Sequence, residues 1–222
     1  MKLDILVFAA HPDDAELSCS GTIAKQVSLG KKTGIIDLTL GDLGTRGNPK
    51  IRIEEAKKAA EILGLSAREN LKIPDGFLDE TQENLDKVIR MIRKYNPEVV
   101  LANAVADRHP DHGKGSSLVS RASFLAGLTN YETELNGITQ ESWRPKAIYH
   151  YIQNNYINPD FIIDISDYWD IKIRSIKAFA SQFYDAASKE PETFISSQGF
   201  LDFIQARAME YGHAIGVKYG EG

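Results

Sequence analysis

The sequence predicts an α/β fold: a single Rossmann-like domain over residues 1–222, its mostly parallel sheet covered by helices on both faces. Three observations carry this reading. Apolar runs recur at 3–10, 33–40 and 98–103, and such continuous runs suit strands buried on both faces. Stretches with helical spacing of apolar residues lie between them. The first strand–helix–strand interval is long enough for a right-handed crossover between parallel strands.

The first strand is Leu3-Asp4-Ile5-Leu6-Val7-Phe8-Ala9-Ala10. The acidic turn His11-Pro12-Asp13-Asp14-Ala15-Glu16 follows, then a helix over 15–29 ended by Gly30. The second strand covers 33–40. Gly41, Gly44, Gly47 and Pro49 mark a loop on the same sheet edge as the acidic turn. A helix over 51–63 carries Ile53, Ala56, Ala60 and Leu63 on one face and stops at Gly64. Leu71-Lys72-Ile73-Pro74 reads as a short third strand, ended by Pro74-Asp75-Gly76. The next helix, 83–94, has Leu85, Val88, Ile89 and Ile92 at helical spacing, with Asn96-Pro97 as its stop. The fourth strand, 98–103, leads into Asp107-Arg108-His109-Pro110-Asp111-His112 and a helix over 113–125. The last third is less regular: strands at 147–152 and 161–165, a helix over 167–184, a loop over 186–198 and a helix over 199–211. No interdomain linker, low-complexity tract or internal repeat interrupts the chain.

A formal charge of −5 argues against a broad phosphate-binding surface, so nucleic acid is not an expected partner. The lone Cys19 excludes an internal disulfide framework and fits a reducing compartment. It reads as a small buried residue of the first helix. No run approaches the ~18 apolar residues of a membrane span, and no signal-peptide pattern opens the sequence. A cytoplasmic location without membrane association is expected.

The chemistry sits in two turns that share a layout: strand, His- and Asp-rich turn, helix. His11 and Asp14 are three apart at a helix start, as are His109 and His112, a spacing that puts side chains on one side of a helical turn. If the two strands are neighbours, the four groups converge. Imidazole and carboxylate ligands suit zinc or another divalent first-row metal. Three protein ligands and an open position would make a catalytic site, with Asp13 placed as general base. Spacing leaves open which histidine of the second turn would touch metal. His109 or Asp111 could orient a ligand, protonate a leaving amine or stabilise an oxyanion. Taken singly, each residue has a plainer explanation: Asp13 or Asp14 as a helix cap, His109 or His112 as a loop histidine. Three of the five histidines in these two turns make coincidence a poor account of the set. His150 and His213 read as structural. A dinucleotide site would place Gly-x-Gly-x-x-Gly at the first turn, where this chain has Asp13, Asp14 and Glu16, which would repel phosphate. A non-catalytic metal- or sugar-binding protein is the other alternative.

At these residues the chain resembles the PIG-L/LmbE-like N-acetylglucosaminyl deacetylases, whose AHPDDxE and HPDH motifs match Ala10–Glu16 and His109–His112. The similarity runs through Gly21-Thr22, the 38–47 loop, Arg52, Asp107-Arg108 and the ending 216–222. Within the family the chain is most similar to the bacillithiol-biosynthesis deacetylases, which act on N-acetylglucosaminyl malate. The resemblance implies one zinc ion held by His11, Asp14 and His112, with Asp13 as general base. It implies His109 as the polarising or protonating group, partnered by Asp111, and Arg52 and Arg108 near a small glycoside substrate. Without the resemblance, each arginine reads as a surface salt bridge. It also makes a homo-oligomer a candidate assembly. Some members place a tyrosine over the site; here the nearest counterpart is Phe200, which has no hydroxyl, and Tyr184 is a candidate substitute.

Overall fold

The computed structural model describes every residue except 185 and 187. Its central sheet has five parallel strands in the order β3-β2-β1-β4-β7: β1 Ile5–Ala9, β2 Thr33–Asp37, β3 Ala67–Asn70, β4 Val99–Ala102 and β7 Ala147–His150. Alternation along β1 and β2 divides the core between the two faces. Leu6, Phe8 and Ile36 pack under α3 (Gln82–Tyr95) and α4 (Pro110–Ala126). Val7, Ala9 and Ile35 pack under α1 (Asp14–Ser28), with Leu63 of α2 (Pro49–Leu63). α5 (Trp169–Lys177) lies against α1 and α2. The expected α/β sheet, parallel and covered on both faces, is therefore what forms.

The order places β1 directly beside β4, with Ile5 opposite Val99 and Val7 opposite Leu101. The chain winds outward from this pair in both directions, so the crevice beyond their carboxyl ends is crossed by no connection. In open α/β sheets that is where ligands bind.

Three expectations needed correction. The third strand is Ala67-Arg68-Glu69-Asn70, not 71–74. It is an edge strand with charged residues at its centre, Arg68 paired in the interior and Glu69 paired nearer the surface. Arg68 Nε and Nη2 each donate to Asp37 at 2.9 Å, and its Nη1 donates to Glu16 Oε1 at 2.5 Å. Lys94 Nζ meets Glu69 at 2.8 Å. Apolar patterning cannot reveal such a strand, and Lys72 at φ +52° breaks extension just beyond it. The helix expected over 167–184 is a 3-10 turn at Ser166–Tyr168 and then α5, ending at Lys177. Phe179 and Phe183 stay buried past that end, which explains the apolar spacing without a helix. Of the strand at 161–165 only β8, Ile163–Asp164, forms; it pairs antiparallel with β9, Gly220–Glu221. The loop expected over 186–198 includes residue 187, outside the described residues.

A small hairpin joins β5 (Glu134–Leu135) to β6 (Ile138–Thr139) through Asn136-Gly137, both at positive φ. That dipeptide is a strong turn signal that the sequence reading passed over. α6, Phe200–Ala214, closes the far side of the crevice. Among the described residues no helix is long and apolar enough to cross a membrane.

Candidate active site

Both turns converge in the crevice between β1 and β4. Asp13 precedes α1 and Asp14 is its first residue. Asp13 stands at φ +116°, in the region that favours glycine, and its carboxylate caps no amide of α1. Helix capping therefore does not account for it. A non-glycine residue in such a conformation costs ~1–3 kcal/mol and persists only when its surroundings hold it. Arg52 of α2 lies against it, with Nη2 donating to Asp13 Oδ2 at 3.0 Å.

Asp14 is the hub of the site. Its Oδ2 accepts from the His11 amide at 3.0 Å and Asn103 Nδ2 at 3.1 Å, and lies 3.6 Å from His11 Nδ1. Its Oδ1 accepts from Gln153 Nε2 at 3.1 Å and lies 3.1 Å from His112 Nε2. Behind His112, Asp107 Oδ2 is 2.6 Å from Nδ1. That contact fixes the proton on Nδ1 and turns Nε2 toward Asp14.

His11 Nε2 faces Asp75 Oδ1 at 3.0 Å and Asp111 Oδ2 at 3.3 Å. This corrects the pairing of Asp111 with His109. The Asp111 carboxylate lies on His11 and on the Gly76 amide, 3.0 Å away. Only its backbone N–H reaches His109, at Nδ1 and 3.3 Å. Asp111 is in the first turn of α4, so its amide is one of the unpaired donors that His109 caps, while its side chain reaches the Asp75–Gly76 turn.

Charge in the cluster is tightly balanced. Burial opposes ionisation of His11, but hydrogen bonds to Asp111, Asp14 and Asp75 outweigh it and hold its pKa well above the ordinary imidazole range. His112 is likewise opposed by burial, yet Asp14 and Asp107 raise it to about 9. The same imidazoles, led by His112, hold Asp14 well below the usual carboxylate range despite burial. Asp13 differs: burial pushes it up to about 7, with Arg52 pulling the other way. His109 is lowered by burial and by the charges of His11 and His112.

These donors fit a divalent metal. The Asp14 carboxylate lies between the two imidazoles, with Oδ1 3.1 Å from His112 Nε2 and Oδ2 3.6 Å from His11 Nδ1, so nitrogen and oxygen donors of the kinds zinc takes meet around it. The buried carboxylates demand a positive charge, which the two imidazoliums otherwise supply. Donor atoms of His11, His109 and His112 also lie within 4.8 Å of one another, as do those of His11, Asp75 and Asp111. His109 is set apart by contact: its ring is 4.7 Å from that of His11 and 5.1 Å from that of His112, while its Nδ1 is occupied by the helix cap.

The cluster lines a cavity of about 470 Å³. Its lining also has an apolar part, from Phe194, Phe200, Phe203 and Ile204. Arg108 is exposed at the mouth, its guanidinium 4.4 Å over the ring of Phe194, and pairs with no carboxylate among the described residues. Arg52 also lines the cavity but is only 5% exposed, so neither arginine forms a surface salt bridge. Phe200 is buried in the apolar wall, and Tyr184 is exposed and outside the cavity lining. Tyr211 lines the cavity, but its hydroxyl donates to the Ile157 carbonyl. His150 is structural, its Nδ1 2.8 Å from the Asn103 carbonyl.

Sequence reasoning missed Asp75, Asn103 and Gln153, and gave Asp107 no role. Each is a lone polar residue at a strand end or loop, with no spacing pattern to mark it. Position in the topology was the available signal: Asn103 immediately follows β4 and Gln153 lies just past β7.

Comparison with known proteins agrees with this geometry. Residues 6–123 match the PIG-L family model, described as GlcNAc-PI de-N-acetylase. Diacetylchitobiose deacetylase of Thermococcus kodakarensis is 29% identical, over 98% of this chain and 81% of its own length. A probable N-acetyl-alpha-D-glucosaminyl L-malate deacetylase 2 of Bacillus anthracis is 29% identical over 81% of each chain. The crystal structure of the conserved protein TT1542 from Thermus thermophilus superposes with a TM-score of 0.88 at 37% identity, covering 99% of this chain and 92% of that one. With more than half of its length matched by the family model and both motif turns brought together at one crevice, the chain belongs to the PIG-L family and is an amide hydrolase.

Proposed function

We propose that the protein removes the acetyl group from an N-acetylglucosamine conjugate, with N-acetylglucosaminyl malate as the favoured substrate and residues 1–222 acting as one catalytic unit. The observation that carries this reading is the seating of Asp13 beside the His11–Asp14–His112 cluster, in the lining of the cavity. His11, Asp14 and His112 would hold zinc or another first-row divalent metal, which when bound supplies carbonyl polarisation and an acidified water. Asp13 accepts the proton of the attacking water. A carboxyl whose pKa burial has raised to about 7 is matched to taking up that proton and returning it to the departing amine. His109 Nδ1 accepts the Asp111 amide, so the neutral ring carries its proton on Nε2 and presents a donor for the oxyanion.

Support for malate comes from the resemblance, from the Bacillus anthracis relative and from the unpaired Arg108 guanidinium, which suits a carboxylate. A second sugar as aglycone is the other reading, favoured by the apolar wall at Phe194 and Phe203. Acetate release from N-acetylglucosaminyl malate, diacetylchitobiose and free N-acetylglucosamine separates them. The malate conjugate is expected to give the highest kcat/KM. Equal rates on it and on free N-acetylglucosamine would remove malate. No acetate release from any of the three would overturn the proposed substrate class.

A further inference from the structure

We propose that Arg207 is a positioning residue: from α6 it holds the loop after β7, and through that loop it sets Asp14 and His112 in place. This rests on the reading of those two residues as metal ligands. Residues 151–162 form no helix and no sheet strand, so their carbonyls need donors from elsewhere. Three of those carbonyls find them on α6. Arg207 Nη1 donates to the carbonyl of Gln153 and Nη2 to that of Asn154 at 2.7 Å, and the Tyr211 hydroxyl donates to that of Ile157 at 3.2 Å. Arg207 and Tyr211 are four apart, on the α6 face that also brings Phe200, Phe203, Ile204 and Ala208 to the cavity. The guanidinium is half-buried and lies 4.6 Å over the ring of Phe203, one turn back. With both terminal nitrogens on carbonyls of the chain, it is anchored to the loop and not offered to a substrate.

The loop passes this hold to the cluster at two points. Gln153 Oε1 accepts from Asn103 Nδ2 at 3.0 Å and from the Ala104 amide at 3.1 Å. Those two donors fix which way the side-chain amide faces, and leave its Nε2 on Asp14 Oδ1 at 3.1 Å. Two residues on, the Asn155 amide donates to Asp107 Oδ1 at 2.7 Å, while Asp107 Oδ2 holds His112 Nδ1. One guanidinium on residues 153 and 154 therefore stands behind both contacts, and ties the apolar part of the cavity lining to the cluster. Losing a partner that orients a metal ligand costs ~10–100-fold in metal affinity. A lysine cannot replace the fork: its single nitrogen cannot hold two adjacent carbonyls in a fixed plane.

The test compares Arg207→Met, Arg207→Lys, Gln153→Leu and the double variant Arg207→Met with Gln153→Leu against the wild type, each checked for folding by circular dichroism. Zinc affinity is measured by chelator competition, and KM at saturating zinc. Arg207→Met, which keeps a stem over Phe203, should bind zinc about 10-fold more weakly with KM unchanged. The double variant should lose less affinity than the product of the two single effects, because both act through one loop. If Arg207→Met does not fold, Arg207→Lys decides alone, and the same loss is expected of it. Wild-type zinc affinity in a folded Arg207 variant would overturn the proposal. So would single effects that multiply in full, which would place Arg207 outside the route through Gln153. A rise in KM with zinc affinity kept would overturn it too, by making Arg207 a substrate grip. Unchanged zinc affinity in Asp14→Asn would instead overturn the reading of Asp14 as a ligand, whatever the arginine variants do.

Discussion

The turns after β1 and β4 carry nearly the same residues and are built in opposite ways. In the first, Pro12, Asp13, Asp14, Ala15 and Glu16 are all buried, and the backbone is strained at Asp13. Arg52, Asn103, Gln153 and Arg68 reach it from four other segments. In the second, His109 has ordinary extended dihedrals and caps its own helix, and Val105, Ala106, Arg108 and Pro110 are exposed. The first turn is held from outside at a strained backbone; the second opens with a self-capped helix start, and its outside contacts fall on Asp107, Asp111 and His112. Residue type thus told what chemistry each turn offers, but not how rigidly it is offered. The buried turn fixes the base and the hub carboxylate. The open turn presents His109 and Arg108 to whatever enters the cavity.

The largest effect that tests this contrast is at His109. If its Nε2–H stabilises the oxyanion, His109→Ala should lower kcat by about 10²–10³-fold with zinc retained. Loss of zinc in that variant would show that the second turn contributes two metal ligands, and the contrast would fail.

The metal-free protein offers the next test, because His112 of the open turn is tied to Asp14 of the buried one. Its folded-state pKa is raised from the usual 6.5 to about 9. A raised pKa stabilises the fold fully below the unfolded value, and the contribution fades as pH climbs through the folded one. His112 alone should therefore contribute on the order of 3 kcal/mol to chelator-treated protein that is lost between pH 6.5 and pH 9–10 in urea titrations, and His112→Gln should lose that share while keeping the share carried by His11. An unchanged profile in the variant would mean that the two turns are not coupled through this pair.

A smaller effect is expected at Asp107, which orients His112 without touching substrate. Asp107→Ala should weaken zinc affinity by about 10–100-fold, measured by chelator competition. Wild-type affinity would show that the open turn needs no second carboxylate to orient its ligand.

Much of this was legible in the sequence, for identifiable reasons. β1, β2 and β4 are central strands, and their burial on both faces writes itself as apolar runs. The edge strand β3 does not, because Arg68 and Glu69 find their partners on Asp37, Glu16 and Lys94 across the fold. His11, Asp13, Asp14 and His112 stood out because they are clustered and charged where a strand becomes a helix. Asn103 and Gln153 did not, since a single amide at a strand end looks the same whether it faces solvent or the Asp14 carboxylate. Asp111 was visible but mispaired: neighbours in sequence with His109, its side chain serves His11 instead, from the other motif.

Glu16, the last residue of the first motif, contacts none of the cluster's histidines or aspartates through its side chain. With Arg68 and Asp37 it forms a buried charge trio linking α1 to the edge of the sheet. Removing one member strands the others' charge in the interior, which costs ~3–5 kcal/mol. No single-step route therefore leads from this trio to an apolar packing of the same space. Among related chains these three positions should change together or not at all, and an alignment should show them as a covarying set, separate from the motif in which Glu16 happens to stand.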